Sequence, residues 1–249
     1  MAAGREAISA EEHQRFEREF RERELDFRGD RRVGYERQVE LEAVVGRLRL
    51  GRGDSVLDAG CGVGRITRAL LPSGAGVVGC DFALARLQRL RSSEPAGVRL
   101  GLVQADLQRL PLAPASFSAI VCTQVLEHIP EAAARRRLIA DFHRLLRPGG
   151  DLVLTVYNLS ETWRRRGAAA EGVHETGIFY HCYTAQELRG ELAEFEVVEF
   201  CGIVNLLPHT YWLFPRLGPL GRALDHWAER RAGLSQRWGH LLLVHARWG

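Results

Sequence analysis

Between residues 55 and 157 the hydrophobic positions switch repeatedly between two periods. Short apolar runs at 55–58, 76–80, 98–103, 118–122 and 152–157 read as strands. Stretches at helical spacing separate them. A helix is expected at 65–71, stopped by Pro72, and another at 84–90, where Leu84, Leu87 and Leu90 recur. A third is expected at 131–146, where Leu138, Ile139, Phe142, Leu145 and Leu146 share a face ahead of Pro148, Gly149 and Gly150. Strands alternating with helices of this length give βαβ units and a mostly parallel sheet, so the fold class is α/β. Upstream, Val39, Ala43, Val44 and Leu48 place a helix at 35–48. Residues 5–32 are rich in charge, with Glu and Arg alternating and Phe16 and Phe20 spaced i,i+4. That pattern fits either a solvated helix docked by its aromatics or a lid over a ligand site. Downstream, 184–192 reads as a helix with Thr184 as N-cap and Glu187 closing a capping box. Strands at 195–201 and 240–248 flank an apolar, aromatic segment at 202–232.

Composition narrows the picture. The 249 residues are 46% hydrophobic and 26% charged, which excludes wholesale disorder and fits a single domain. A formal charge of +3 is too small to argue for nucleic acid without a basic patch. There is no Lys, a bias that points to a GC-rich genome rather than to a binding mode. Cys61, Cys80, Cys122, Cys182 and Cys201 form no CxxC pair and are expected to be buried free thiols in a reducing compartment, with no metal bound. The first twenty residues lack the apolar run of a signal peptide, and the apolar stretch at 201–217 is broken by Asn205, Pro208, His209, Pro215 and Arg216. A soluble, cytoplasmic protein is the expectation.

The chemistry-bearing positions follow the first strand. Asp58-Ala59-Gly60-Cys61-Gly62-Val63-Gly64 leaves a strand and enters a helix, where glycines allow a tight turn and close approach to a ligand. The spacing is GxGxG, not the GxGxxG of dinucleotide sites, because position 65 is Arg. Asp58 would repel a pyrophosphate and welcome a cationic group. Asp81 ends the second strand, about twenty residues on, where a carboxylate can take both ribose hydroxyls of an adenosine. Asp106, beyond the third strand, could accept from an adenine amine, with Leu107 and Phe82 against the ring. Any one of these could be a helix cap; three at successive strand ends point to one ligand.

The stretches VLDAGCGVG (56–64), GCDF (79–82), QADLQRLPLAPASFSAIV (104–121), LEHI (126–129) and LLRPGGDLVLTV (145–156) resemble the class I S-adenosylmethionine-dependent methyltransferases, in particular the ubiquinone/menaquinone-biosynthesis-like small-molecule branch. The resemblance covers roughly two-fifths of the chain. It implies a Rossmann-like seven-stranded sheet in the order 3-2-1-4-5-7-6 with the last strand antiparallel, and S-adenosylmethionine as cofactor. It further implies that Asp58, Gly60, Gly62 and Gly64, with Cys61 among them, surround the methionine moiety. Asp81 would hold the ribose, Asp106 and Leu107 the adenine, and the Cys122 carbonyl the cofactor's amino group. Ser118 stands where that family commonly has Asp, a structural position. The whole chain then divides into N-terminal helices or lid (1–50), cofactor core (51–157) and substrate-side elaboration (158–249).

His128 follows the fourth strand and is the candidate general base, or else a packing and orienting residue. His174, Tyr180, His181, Tyr183, Tyr211 and Trp212 are substrate-pocket candidates or ordinary loop and cap residues. Some quinone-pathway relatives bind a divalent ion through a Glu-x-x-Glu-His run; here Gln124 replaces the first Glu, so no metal is expected. No Asn-Pro-Pro-Tyr follows the fourth strand, which argues against DNA. The arginines at 135–137 read as a solvated helix face and those at 164–166 as a candidate contact for an anionic group. Methyl transfer to a small apolar or aromatic acceptor, with transient contact to a membrane surface, is the leading expectation. An RNA or protein methyltransferase, a non-catalytic module of the same fold and, distantly, a nicotinamide dehydrogenase are the rivals.

Overall fold

The computed structural model describes residues 9–23, 31–205 and 216–249. In chain order the elements are α1 (Ala10–Arg23), α2 (Arg31–Gly46), β1 (Ser55–Ala59), α3 (Arg65–Leu70), β2 (Gly76–Asp81), α4 (Leu84–Ser93), β3 (Leu100–Gln104), β4 (Phe117–Thr123), α5 (Ala132–Leu145) and β5 (Leu146–Tyr157). There follow α6 (Glu161–Arg165), β6 (Glu171–Val173), β7 (Phe179–His181), α7 (Ala185–Glu191), β8 (Glu196–Ile203), α8 (Pro219–Glu229), α9 (Ala232–Trp238) and β9 (Leu241–Arg247).

Seven strands form one sheet in the order β3-β2-β1-β4-β5-β9-β8. The first five are mutually parallel, and β9 runs antiparallel to both β5 and β8. Without the small β6–β7 hairpin, which forms a separate sheet, this is the 3-2-1-4-5-7-6 order expected. The central strands are apolar on both faces because helices cover both. Val56 and Leu57, adjacent in β1, enter opposite cores, as strand alternation requires. One core takes Leu138, Ile139, Phe142 and Leu145 of α5; the other takes Val44 of α2, Ile66 and Leu70 of α3, and Leu87 and Leu90 of α4. All five cysteines are buried free thiols. Among the described residues, no helix is long and apolar enough to cross a membrane.

Two departures from the sequence reading have physical causes. The hairpin β6–β7 occupies what read as a loop: its strands are three residues each, too short for an alternation to register. The Thr184–Glu187 capping box is present, but Arg135 is not part of a solvated face. It is 3% exposed and its guanidinium donates to the carbonyls of Ile129 and Pro130, orphan acceptors that no helix satisfies. Helix α1 has no fully buried residue: Phe16 lies against Gly177 and Phe20 faces the cavity, and polar groups fasten the helix as well. The Glu22 carboxylate accepts from the Leu84 and Ala85 amides at 2.7 and 2.8 Å, capping the open N-terminus of α4 from another element. Arg86 Nε donates to the Arg21 carbonyl at 3.0 Å. Cap loss costs about 1 kcal/mol. Glu22→Ala is therefore expected to raise amide exchange across Ala10–Arg23 by about fivefold or more while β1 and β4 stay protected, as hydrogen–deuterium exchange would read.

Candidate functional site

The parallel strands deliver their last residues to one edge of the sheet, and the strand order fixes a linear sequence of side chains along it. From the β3 side these are Asp106, Asp81, Asp58 with the glycine turn, then Thr123 to His128 after β4, Tyr157 at the end of β5, and His240 and Leu241 entering β9. A cavity of about 750 Å³ runs along this edge. Carboxylates line one half, and histidines with a tyrosine line the other. Helix α1 adds Gln14, Glu17, Phe20 and Arg21, and α2 adds Glu36 and Arg37.

The glycine turn is built by two constraints. Gly60 sits at φ +79°, and a Cβ there would run into Val125. Gly64 sits at φ +86°, and a Cβ there would run into Leu90 of α4. Gly64 does not line the cavity; its part is to let α3 and α4 close up beneath it. The Gly60 and Cys61 amides both donate to the Cys80 carbonyl, at 2.8 and 3.0 Å, which folds the turn across β2. Asp81 then braces it: Oδ2 accepts from the Gly62 amide at 2.8 Å and Oδ1 from the Ala83 amide at 2.9 Å. Each oxygen keeps a lone pair for a ligand hydroxyl.

Asp58 is 1% exposed. Its Oδ2 accepts from the Thr67 hydroxyl at 2.5 Å, and its Oδ1 has no partner among the described residues. Burial pushes its carboxyl up to about 6, against the Thr67 hydrogen bond and the Arg65 charge, which pull it down. Burial also raises Asp81. A buried carboxylate with an empty acceptor position is costly, and a cationic ligand group removes that cost. Asp106 caps the turn at Leu107–Arg109, accepting from the Gln108 amide at 2.9 Å, and its other oxygen accepts from the Gln14 amide at 2.5 Å. Helix α1 therefore reaches the Asp106 carboxylate directly.

In the other half, His128 Nδ1 lies 2.8 Å from the Phe179 carbonyl of the hairpin. A carbonyl only accepts, so Nδ1 carries the hydrogen and Nε2 keeps its lone pair. Burial pulls the His128 imidazole down to about 3, and it lowers His174 and His240 as well. Tyr157 is surrounded by these rings, with centroids 5.7 Å from His128, 6.1 Å from His174 and 5.8 Å from His240. This half is thus a wall of neutral imidazoles around one phenol, with Ile129, Ile178 and Leu241 beside it.

Asp58, Gly60, Cys61, Gly62, Asp81, Phe82, Asp106, Leu107 and His128 all line the cavity. Cys122 does not; it lies within the sheet, paired to Ala59 and Leu154. Of the substrate candidates, His174 reaches the cavity. Tyr180 stands beside it, with ring centroids 4.6 Å apart and the planes tilted by 37°. His181 turns away to Glu187, 2.8 Å from Nε2. Tyr183 is fully buried beneath Arg135, whose guanidinium carbon is 5.6 Å from the ring. Both are structural, because the hairpin and the α7 cap seal them. Tyr211 and Trp212 fall outside the described residues. The sequence reading passed over Tyr157 and His240. Tyr157 ends a parallel strand just as Asp58 and Asp81 do, and the same rule would have found it. His240 required knowing that β9 enters antiparallel from this edge.

Gln124 donates to Glu40 at 2.9 Å, His128 turns Nδ1 to the Phe179 carbonyl, and Glu127, fully buried, does not line the cavity. Glu40 itself is fully buried and also accepts from Arg65 and, at 2.5 Å, from the Thr155 hydroxyl, so it ties α2 to the site. Among the described residues the grouping with ligand-like spacing is Glu199, Cys201 and Glu229, and the Arg47 guanidinium already bonds to all three. The arginines after β5 are engaged too: Arg165 pairs with Glu161 at 2.9 Å and lies 4.9 Å from the Trp238 ring.

Residues 56–150 match the family model described as a methyltransferase domain. The chain is similar to a ubiquinone biosynthesis O-methyltransferase of Xanthomonas campestris pv. campestris, 39% identical over 125 residues, which is 48% of this chain and 49% of that protein. The chain spans about half the length of the curated relatives it matches. Among solved structures it is similar to 1,6-didemethyltoxoflavin-N1-methyltransferase of Burkholderia thailandensis, bound to 1,6-didemethyltoxoflavin and S-adenosylhomocysteine (TM-score 0.61, 21% identity, 98% of this chain and 92% of that one). It is also similar to geranyl diphosphate C-methyltransferase of Streptomyces coelicolor, in complex with Mg²⁺, geranyl diphosphate and S-adenosylhomocysteine (TM-score 0.64, 15% identity, 95% and 98%). At these identities the likeness establishes the fold.

Proposed function

We propose that this chain transfers the methyl group of S-adenosylmethionine to a small apolar or aromatic acceptor, a reading supported by the match of residues 56–150 to the methyltransferase-domain model and by the sheet order. The observation that carries the reading is Asp58: a buried carboxylate with one unpartnered oxygen, in line with Asp81 and Asp106 along the same cavity. Three carboxylates there repel a diphosphate and favour a ligand with a cationic end. The residues fit the cofactor. Asp58 takes the cationic methionine end against the Gly60–Gly62 turn, Asp81 the ribose hydroxyls, and Asp106 with Leu107 and Phe82 the adenine. When bound, S-adenosylmethionine supplies a methyl group already activated on a sulfonium, so alignment and exclusion of water provide most of the acceleration.

The chain's own residues supply both. Phe20 and the Glu17–Arg21 pair, 3.2 Å apart and mostly buried, close the cavity from α1 and keep water out. His128 offers Nε2 to a hydroxyl or amine of the acceptor, and the Phe179 carbonyl fixes the ring. Burial disfavours the charged imidazolium and so makes His128 a poor base; we read it as an acceptor that orients the hydroxyl or amine to be methylated. The apolar residues Ile129, Ile178 and Leu241 and the Tyr157 ring favour an apolar or aromatic body for the acceptor. The relative named for ubiquinone biosynthesis fits that class.

His128→Asn keeps a donor toward Phe179 and loses the Nε2 acceptor. It is expected to lower the rate of methyl transfer from tritiated S-adenosylmethionine into extractable small molecules by about tenfold to a hundredfold. S-adenosylhomocysteine affinity is expected to stay unchanged. The wild-type rate should show no limb between pH 6 and 7; a limb there that the substitution abolishes would restore His128 as the base.

A further inference from the structure

Helix α8 presents its faces in an inverted order. Gly221, Asp225 and Ala228 point inward, and Leu220, Leu224 and Trp227 point outward, 59%, 42% and 52% exposed. The inward face is held by polar bonds. Asp225 Oδ1 accepts from the Asn205 backbone and side-chain amides at 2.6 and 3.0 Å, and Oδ2 accepts from the Tyr35 hydroxyl at 3.1 Å. These bonds fix the rotation of the helix and leave a contiguous apolar stripe in water, and Leu234 of α9 (37% exposed) adds to it. A stripe held outward by a polar anchor is a binding face.

Its charge selects the occupant. The two carboxylates of α8 are both turned inward, Asp225 as above and Glu229 onto Arg47. Of the other charges, Arg222 pairs with Glu42 and Arg237 of α9 with Glu161, while Arg230 and Arg231 lie exposed at the helix end, the Arg231 guanidinium carbon 3.9 Å from the centroid of the Trp227 ring. Leucine and tryptophan side chains beside these two arginines match the interface of an anionic bilayer, where the rings sit at headgroup level and a nearby arginine is attracted to acidic lipid.

We propose that the Leu220–Leu224–Trp227 face of α8 docks this protein onto anionic lipid surfaces. Tyr35 of α2 donates to Asp225 of α8, and the next residues of α2, Glu36 and Arg37, line the cavity, so the face belongs to an element that adjoins the site. The docking face stands on its own observations. It also gives an apolar acceptor a route from bilayer to site if the reaction proposed above is correct.

The test is cosedimentation of the full chain with phosphatidylcholine vesicles, with and without about a third phosphatidylglycerol. The wild type is expected to partition at least about tenfold more onto the anionic vesicles, with the difference collapsing at high salt. Leu224→Glu and Trp227→Glu are each expected to lower partitioning by about tenfold or more, with S-adenosylhomocysteine binding unchanged as the control for folding. Arg231→Gln should weaken the preference for anionic lipid more than it weakens binding to neutral lipid. Equal retention of wild type and both Glu variants, or no vesicle binding at all, would overturn the proposal. So would a concentration-dependent dimer, seen without lipid and lost in Trp227→Glu, which would assign the face to a second copy of the chain. Vesicle binding and cofactor binding are separate readouts, so failure of one is distinguishable from failure of the other.

Discussion

Asp58→Asn is expected to weaken S-adenosylhomocysteine binding at pH 7.5 by about one to two orders of magnitude. Asparagine keeps an acceptor for the Thr67 hydroxyl but removes the charge, and a charge-assisted hydrogen bond in a buried site contributes about 1.5–3 kcal/mol. The pH dependence sharpens the test. A cationic ligand group prefers the ionised carboxylate, whose titration lies near 6 in the free protein. Wild-type affinity should therefore fall by about tenfold for each pH unit below 6, and the Asn variant should lack that slope.

Stability of the free protein moves the other way. Asp58 titrates near 6 when folded and near 3.8 in its ordinary state. Between those values the folded chain holds a proton that the unfolded chain has released, so acidification through that window stabilises folding, by on the order of 3 kcal/mol from this group. The buried, neutral His128, His174 and His240 oppose it, because each must take up a proton on unfolding as pH falls below the ordinary imidazole range. The difference between wild type and Asp58→Asn isolates the carboxylate: thermal unfolding of the free wild type should gain more on going from pH 7.5 to 5 than that of the variant.

The second large effect is expected at Asp81. Its carboxylate accepts two backbone amides, from Gly62 and Ala83, and so shapes the glycine turn in addition to its proposed part in holding the ribose. Asp81→Ala leaves the Gly62 amide unsatisfied and removes the ligand's partner at once, which should weaken S-adenosylhomocysteine binding by about a hundredfold. Asp81→Asn retains an acceptor for one amide and should lose about tenfold. Equal affinities for wild type and Asp81→Ala in calorimetry would displace the ribose from this position.

The half of the site proposed for the cofactor was legible in the sequence because the fold turns sequence order into spatial order. The carboxylates at or just beyond the ends of β1, β2 and β3 arrive at the same edge, and the strand order sets Asp58, Asp81 and Asp106 side by side. The acceptor half was not legible for the opposite reason. His240 reaches the edge only because β9 enters antiparallel, and His174 only because a hairpin with three-residue strands folds back over β4. His181 and Tyr183, two and four residues beyond the start of β7, read as equally good pocket residues; a capping box and a buried arginine draw them into the core instead. The lid was half legible. The alternation of Glu and Arg marked a helix, but which of its charges would dock it depended on where α4 left an uncapped end.

The central claim, methyl transfer to a small apolar acceptor, is tested most directly with tritiated-methyl S-adenosylmethionine, the purified protein and an extract of cells lacking it. Label is counted separately in the organic-extractable and acid-precipitable fractions. The account predicts label in the organic fraction, lost in Asp58→Asn and reduced in His128→Asn. Label confined to the precipitate would assign the chain to RNA or protein acceptors, and binding of S-adenosylhomocysteine with no label in either fraction would make it a cofactor-binding module that turns nothing over.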